Sequence, residues 1–148
     1  MGIVKATLPW TARGVLTHQI TAAYSGDDNF AASVSVLTAP LIVRTAATKT
    51  VLTSSDLTVT AGTPVTFTAI VSVLMPGTGA PTGNVTFWEG TTNLGTADVQ
   101  VVNGKVQATL TLDTLTVGRH LIKAKYNADA DFKASWSLAI AELVAAGV

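Results

Sequence analysis

The sequence predicts an all-β, antiparallel sandwich, and three observations predict it. Apolar residues make up 48% of the chain and charged residues only 12%, a composition that can fill a core and is not that of a disordered segment. The apolar residues are mostly Val, Ala, Leu and Ile, interleaved with many Thr, which suits pleated, half-buried strands. Short runs alternate apolar with polar and are separated by turn residues roughly every ten positions, the spacing of sandwich strands.

An internal repeat sets the organisation. Gly2–Val36 matches Gly104–Leu138 without a gap at an offset of 102 residues, and a fixed period marks a repeat array. Val4, Ala6, Thr7 and Leu8 recur as Val106, Ala108, Thr109 and Leu110. His18, Ile20, Ala22 and Tyr24 recur as His120, Ile122, Ala124 and Tyr126, and Asp27, Phe30, Ser33 and Ser35 as Asp129, Phe132, Ser135 and Ser137. The chain therefore reads as the C-terminal half of one repeat over residues 1–44 followed by a complete repeat over 45–148.

In the complete repeat, Thr48 to Thr53 reads as a short strand, and Thr60-Ala61-Gly62-Thr63-Pro64 breaks the chain before the next. Over Val65 to Val73 the odd positions are apolar and the even ones mostly polar, so Val65, Phe67, Ala69, Val71 and Val73 face inward. Pro76 to Gly83 is a long loop whose Pro and Gly supply turn geometry. Val85 and Phe87 then point in, with Thr86 and Trp88 outward. Asn93 to Asp98 forms a short strand, and Asn103-Gly104 is a two-residue hairpin signal. Val106, Ala108, Leu110 and Leu112 line one further strand; Ile122, Ala124 and Tyr126 line another, with Lys123 and Lys125 on its wet face. Trp136, Leu138 and Ile140 complete the inward set. Ile140 to Val148 tolerates helix locally and is read as a strand end and tail. About seven strands in about 100 residues is the size of an immunoglobulin-like sandwich. Residues 2 to 44 are read as the last three strands of a preceding copy, joined to the complete one by a short, stiff connection.

Nine basic residues balance nine acidic ones. No basic stripe is present, so no nucleic-acid partner is expected and anionic membrane surfaces are poor candidates. Cysteine is absent, so neither a disulfide nor a thiolate site forms. No run is long enough to span a bilayer, so membrane insertion is not expected. Met1-Gly2-Ile3-Val4-Lys5 leads into a strand-like alternation with no signal peptide, as in a piece of a longer secreted protein or a product that is not secreted; the half repeat favours the first.

Thr63-Pro64-Val65-Thr66-Phe67-Thr68-Ala69, Pro81-Thr82-Gly83-Asn84-Val85-Thr86-Phe87, Gly95-Thr96-Ala97 and Leu115-Thr116-Val117-Gly118-Arg119-His120-Leu121-Ile122-Lys123-Ala124-Lys125-Tyr126 together resemble the bacterial immunoglobulin-like repeat of group 3. Ile20-Thr21-Ala22-Ala23-Tyr24-Ser25-Gly26-Asp27-Asp28-Asn29-Phe30 resembles that family's closing strands. The second copy departs from the pattern at Asn127-Ala128-Asp129-Ala130-Asp131, where the usual Ser-Gly-Asp is lost. The resemblance implies tandem repeats of bacterial surface and secreted proteins that act as spacers, stalks or adhesive modules, with neighbouring repeats as partners. It implies no catalytic residues and no cofactor.

Candidate chemistry is sparse. His18 and His120 share one position in the two copies; without a second His or an acid at ligand spacing, each reads as a strand residue bonding a loop carbonyl. Asp27, Asp28 and Asn29, and Asp129 and Asp131, cluster oxygens in turns. Calcium needs 6–8 oxygens, so these are weak calcium candidates that Asx-turn chemistry explains without a metal. Trp88, outward on its strand, is the best candidate for stacking on a surface glycan; Trp136 alternates with the core. No nucleophile elbow, acid/base pair or phosphate loop is present, so an enzyme is not expected.

The half repeat poses a separate question. Val4, Ala6, Leu8, Ile20, Ala22, Tyr24, Val34 and Val36 form an inward face with no partner sheet of their own, and burying such aliphatic side chains is worth about 1.5–3 kcal/mol each. Self-association through this face is expected, as two half repeats packed together or as strands added to another chain's sandwich. Folding back on the complete repeat, or strands supplied by another chain of an array, are the alternatives. The expected role is a non-enzymatic spacer of a bacterial cell-surface or secreted protein. A filament or phage subunit joined by strand complementation through residues 2–44, and a carbohydrate- or host-surface-binding module, are the alternatives.

Overall fold

In a computed structural model, which describes residues 3–11, 14–36 and 39–148, the chain divides into two compact units, Met1–Arg44 and Thr45–Val148. Of Val36 only the backbone is described, so its assignment to the inward face lies outside the described residues, as does Gly2 at the start of the repeat.

The second unit is an immunoglobulin-like sandwich. One sheet has the order β10 (Gln100–Val102), β11 (Lys105–Leu112), β7 (Val65–Val73), β5 (Thr48–Ser54). The other runs β6 (Thr58–Thr60), β14 (Ile140–Ala145), β12 (Gly118–Tyr126), β8 (Asn84–Glu89), β9 (Thr92–Asp98), with β13 (Ser135–Trp136) also on β12. Every strand pairing is antiparallel except β6 with β14, and an isolated parallel bridge joins Ala46 to Phe132. The alternation read from the sequence lands where expected on β7, where Val65, Phe67, Ala69 and Val71 are buried. Val85 and Phe87, then Ile122, Ala124 and Tyr126, bury against them from the opposite sheet. Asn103 and Gly104 both have positive φ, 50° and 76°, the two-residue turn that joins β10 to β11 with matching twist.

One strand departs from expectation. Trp136 is 53% exposed and Leu138 88% exposed; neither is core. Lys125 pairs Trp136, whereas Ile122 pairs Ile140, so an extra residue is accommodated between β13 and β14. Such a bulge moves the side chains beyond it to the other face. Ser135 and Ser137 therefore turn inward before the break, and Ile140, Glu142 and Val144 after it. Reading the Ile140 phase backward through the bulge put Trp136 and Leu138 on the wrong side. Two short strands, β6 and β10, went unpredicted; at three residues each they carry too little alternation to register.

Among the described residues the first unit contains two strand pairs. β2 (Thr21–Tyr24) pairs β3 (Ser33–Val36), and β1 (Thr17–His18) pairs β4 (Leu41–Ile42), all antiparallel. The strand expected over residues 2–8 does not form within residues 3–11. Its counterpart β11 is flanked by β7 and β10, and a segment with the same side chains but no neighbour has no ladder to join.

Candidate functional site

The polar side chains of the second unit are spent on structure. The loop after β12 is built on Asp129, whose Oδ1 accepts the amides of Asp131 at 2.9 Å and Phe132 at 2.8 Å, an Asx turn. Its Oδ2 accepts the Thr82 amide at 2.8 Å and the Thr82 hydroxyl at 2.7 Å. The buried Tyr126 donates its hydroxyl to the Thr82 carbonyl at 2.8 Å. All three polar groups of Thr82 are thus held by residues from the other half of the repeat. Burial pushes the Asp129 carboxyl up, but the Thr82 and loop hydrogen bonds outweigh it and hold the group far below the usual carboxylate range. Burial, with the Asp129 charge nearby, pushes the Tyr126 phenol well above its ordinary value.

The first unit repeats the loop. Asp27 Oδ1 accepts the amides of Asn29 at 2.8 Å and Phe30 at 2.9 Å. Its Oδ2 instead accepts the Tyr24 hydroxyl at 2.8 Å. The Asn29 amide and then the Tyr24 hydroxyl hold this carboxyl below its ordinary range, and the same bond raises the Tyr24 phenol. Turn chemistry thus accounts for Asp27 and Asp129. Among the described residues Asp28 and Asp131 make no side-chain hydrogen bond, and the Asn29 and Asp131 contributions are backbone amides. Among the described residues no three His, Cys, Asp or Glu side chains gather at metal-binding distance.

His120 makes the loop-carbonyl bond expected of it, Nε2 to Thr116 O at 2.7 Å, but also lies 2.8 Å through Nδ1 from Glu89 Oε1. Sequence spacing missed this acid because it comes from β8, whose Glu89 pairs Ile122, two residues from His120 on β12. With Glu89 ionised both ring nitrogens face acceptors, and the imidazolium, a donor at both, satisfies them. The Thr116 carbonyl, opposed by burial and then helped by Glu89 and Glu142, raises the His120 pKa. On the facing strand Glu142 is fully buried; Oε2 lies 3.0 Å from Ser54 Oγ, and Oε1 has no partner. Among the described residues no acid pairs with His18: it stacks edge-on to Trp10 at 5.1 Å, and its cross-strand partner is Leu41.

On the outer face of the β12 sheet, Trp88 and Trp136 lie 6.5 Å apart at 49°, and the Lys125 ammonium sits 5.5 Å from the Trp136 ring. Register explains this, since Lys123 pairs Trp88 and Lys125 pairs Trp136. Trp88, the predicted glycan candidate, is half-buried with its Nε1 enclosed and unpartnered. The exposed ring is Trp136.

Val4, Ala6, Leu8, Ile20, Ala22, Tyr24 and Val34 are all exposed. Part of this surface forms a groove of about 890 Å³ with Val4, Ala6, Ala22 and Tyr24 in its walls. Val34 needs correction: it pairs Ala23 as Trp136 pairs Lys125, which gives it the outer-face position of the bulged strand, while Ser33 and Ser35 take the inward ones.

The second unit is thus a two-sheet module whose buried polar groups lock loops and edges together. The family model of the bacterial Ig-like domain of group 3 matches residues 52–145, and the chain belongs to that family. No curated protein matches the sequence. Domains of this family are typically non-enzymatic structural or surface modules, often in extracellular proteins. Among the described residues no helix is long and apolar enough to cross a membrane.

Proposed function

We propose that the chain is a non-enzymatic spacer module of a bacterial cell-surface or secreted protein of adhesin or stalk type. The observation that carries this reading is the course of the first strands beside the last. β6 runs parallel to β14, with Thr58, Val59 and Thr60 opposite Leu143, Val144 and Ala145. β5 tracks the same edge: Thr48 Oγ1 donates to Ser135 Oγ at 2.8 Å, and Ser54 Oγ meets Glu142 at 3.0 Å. The chain enters at one end of this edge and leaves at the other. Tension between neighbouring repeats then loads these bonds in shear, all together, and a spacer under load needs that resistance.

Single-molecule pulling tests this. Val59→Pro removes a ladder donor from β6 and is expected to lower the unfolding force markedly while the fold is retained. An unchanged force overturns the reading.

A second reading, contact with a surface glycan, is favoured by the exposed Trp136 with Lys125 beside it. Glycan-array binding lost in Trp136→Ala supports it; no binding to any glycan removes it.

A further inference from the structure

We infer, resting on the glycan-contact reading, that the outer face of β12 with β8 and β13 binds an acidic polysaccharide, a polymer of sugar rings that carry carboxylates. The register builds this face. Side chains two apart on a strand share one side at a spacing of about 7 Å. Arg119, Lys123 and Lys125 therefore stand in one row along β12, opposite the buried His120, Ile122, Ala124 and Tyr126. Trp88 lies directly across from Lys123 on β8, and Trp136 directly across from Lys125 on β13, so the two rings flank the two lysines.

The charge on this face is of one sign. Glu89 and Glu142 turn inward, Glu89 to His120 at 2.8 Å and Glu142 fully buried. Asp56, Asp113, Asp129 and Asp131 sit in turns and loops, and Asp98 ends the edge strand β9 opposite Asn84. Among the described residues the one ion pair is that of His120 with Glu89, so the row of cations has no carboxylate partner there. A matching ligand offers anions at intervals along a chain and flat apolar faces between them. Trp136 is 53% exposed, with the Lys125 ammonium 5.5 Å from its centroid, so ring and charge meet such a ligand together. A neutral glycan uses the rings and leaves the cations unanswered; an acidic peptide does the reverse. Nucleic acid fits less well, since the chain is neutral overall and single-strand binders track the phosphates along a basic groove, not along one row on an open sheet.

The test titrates the full chain with polygalacturonate and with its methyl ester, the same sugar polymer without the charges, and follows amide and indole N–H resonances by NMR. Polygalacturonate is expected to shift residues 86–88, 123–125 and 135–136. Its binding should weaken about tenfold between about 0.05 and about 0.5 M salt, as screening removes the attraction. Lys123→Gln with Lys125→Gln should weaken it by about tenfold as well, through loss of charge-assisted hydrogen bonds. Trp136→Ala, at an exposed ring, should abolish the shifts while the amides of 65–73 stay in place. The ester binding as tightly as the acid overturns the inference and leaves the glycan reading standing. Binding of neither polymer overturns it too; a glycan array without any binder then removes the reading as well. Equal affinity for polyglutamate or for a single-stranded oligonucleotide also overturns it, since charge alone or another class of polymer then accounts for the contact.

Discussion

The carboxylate of Asp129 receives both the amide and the hydroxyl of Thr82, at 2.8 and 2.7 Å, and so ties the loop after β12 to the long loop before β8. With its two other amide bonds, this one side chain fixes both ends of the contact. Asp129→Ala is expected to cost about 2–3 kcal/mol, since charge-assisted hydrogen bonds are lost and donors left unpaired. Urea unfolding would show it as a lower midpoint at unchanged slope. Because the folded-state pKa lies below the unfolded value, the stabilisation is present above about pH 4 and is lost as pH falls through the folded value. Wild type should lose stability in acid more steeply than Asp129→Asn.

His120 works in the opposite sense. Its folded-state pKa is raised, so its contribution is complete below about pH 6.5, the unfolded value, and declines as pH rises through the folded one. Stability of the wild type is expected to fall as pH rises above about 6.5 and through the folded value, and that slope should vanish in His120→Gln. A two-dimensional NMR titration of the ring protons gives the folded value directly; a value at or below the ordinary one would refute the imidazolium assignment.

Glu142 is buried with one oxygen unpartnered, and Leu41 occupies the cross-strand place opposite His18 that Glu142 holds opposite His120. Replacing a poorly paired buried carboxylate by an apolar side chain of similar volume removes a desolvation cost. Glu142→Leu is therefore expected to stabilise the domain by about 1–2 kcal/mol, read as a rise in thermal midpoint.

Ala128 has φ 68°, a left-handed conformation that a Cβ disfavours by about 1–2 kcal/mol. The equivalent position in the first unit is Gly26, with φ 81°. Ala128→Gly should thus raise stability by about 0.5–1 kcal/mol once the greater freedom of the unfolded glycine chain is subtracted. The reciprocal Gly26→Ala should disrupt its loop, since a Cβ there would lie 2.8 Å from the Ala32 amide nitrogen and 2.9 Å from the Phe30 carbonyl oxygen.

Much of the fold was legible because period-2 alternation is a local property. Val65 to Val73 announces its own burial, and Asn103-Gly104 its own turn. What was not legible depends on partners distant in sequence. The bulge before Ile140 is set by how β12 pairs with two separate segments, so the Ile140 phase carried backward puts Trp136 and Leu138 on the wrong face. Glu89 reaches His120 only through the β8–β12 register. Thr82 carries no sequence mark of its role, although the recurrence of Tyr and Asp at positions 24 and 27 and again at 126 and 129 was a signal that a shared contact existed. Val4 to Leu8 repeats the pattern of a buried strand, but a pattern is not a strand until a neighbour completes the ladder.

The short strands and the hydroxyl-laced edge have a consequence for crowding. Domains strung in series meet at high effective concentration, where bare strand edges fuse into continuous sheets. Here β6 and β10 expose three residues each, the register slips beside β9 at Phe87/Trp88, and β5 is laced by Thr48 and Thr50 to Ser135. Many copies of this domain can stand side by side without their sheets running together into fibres.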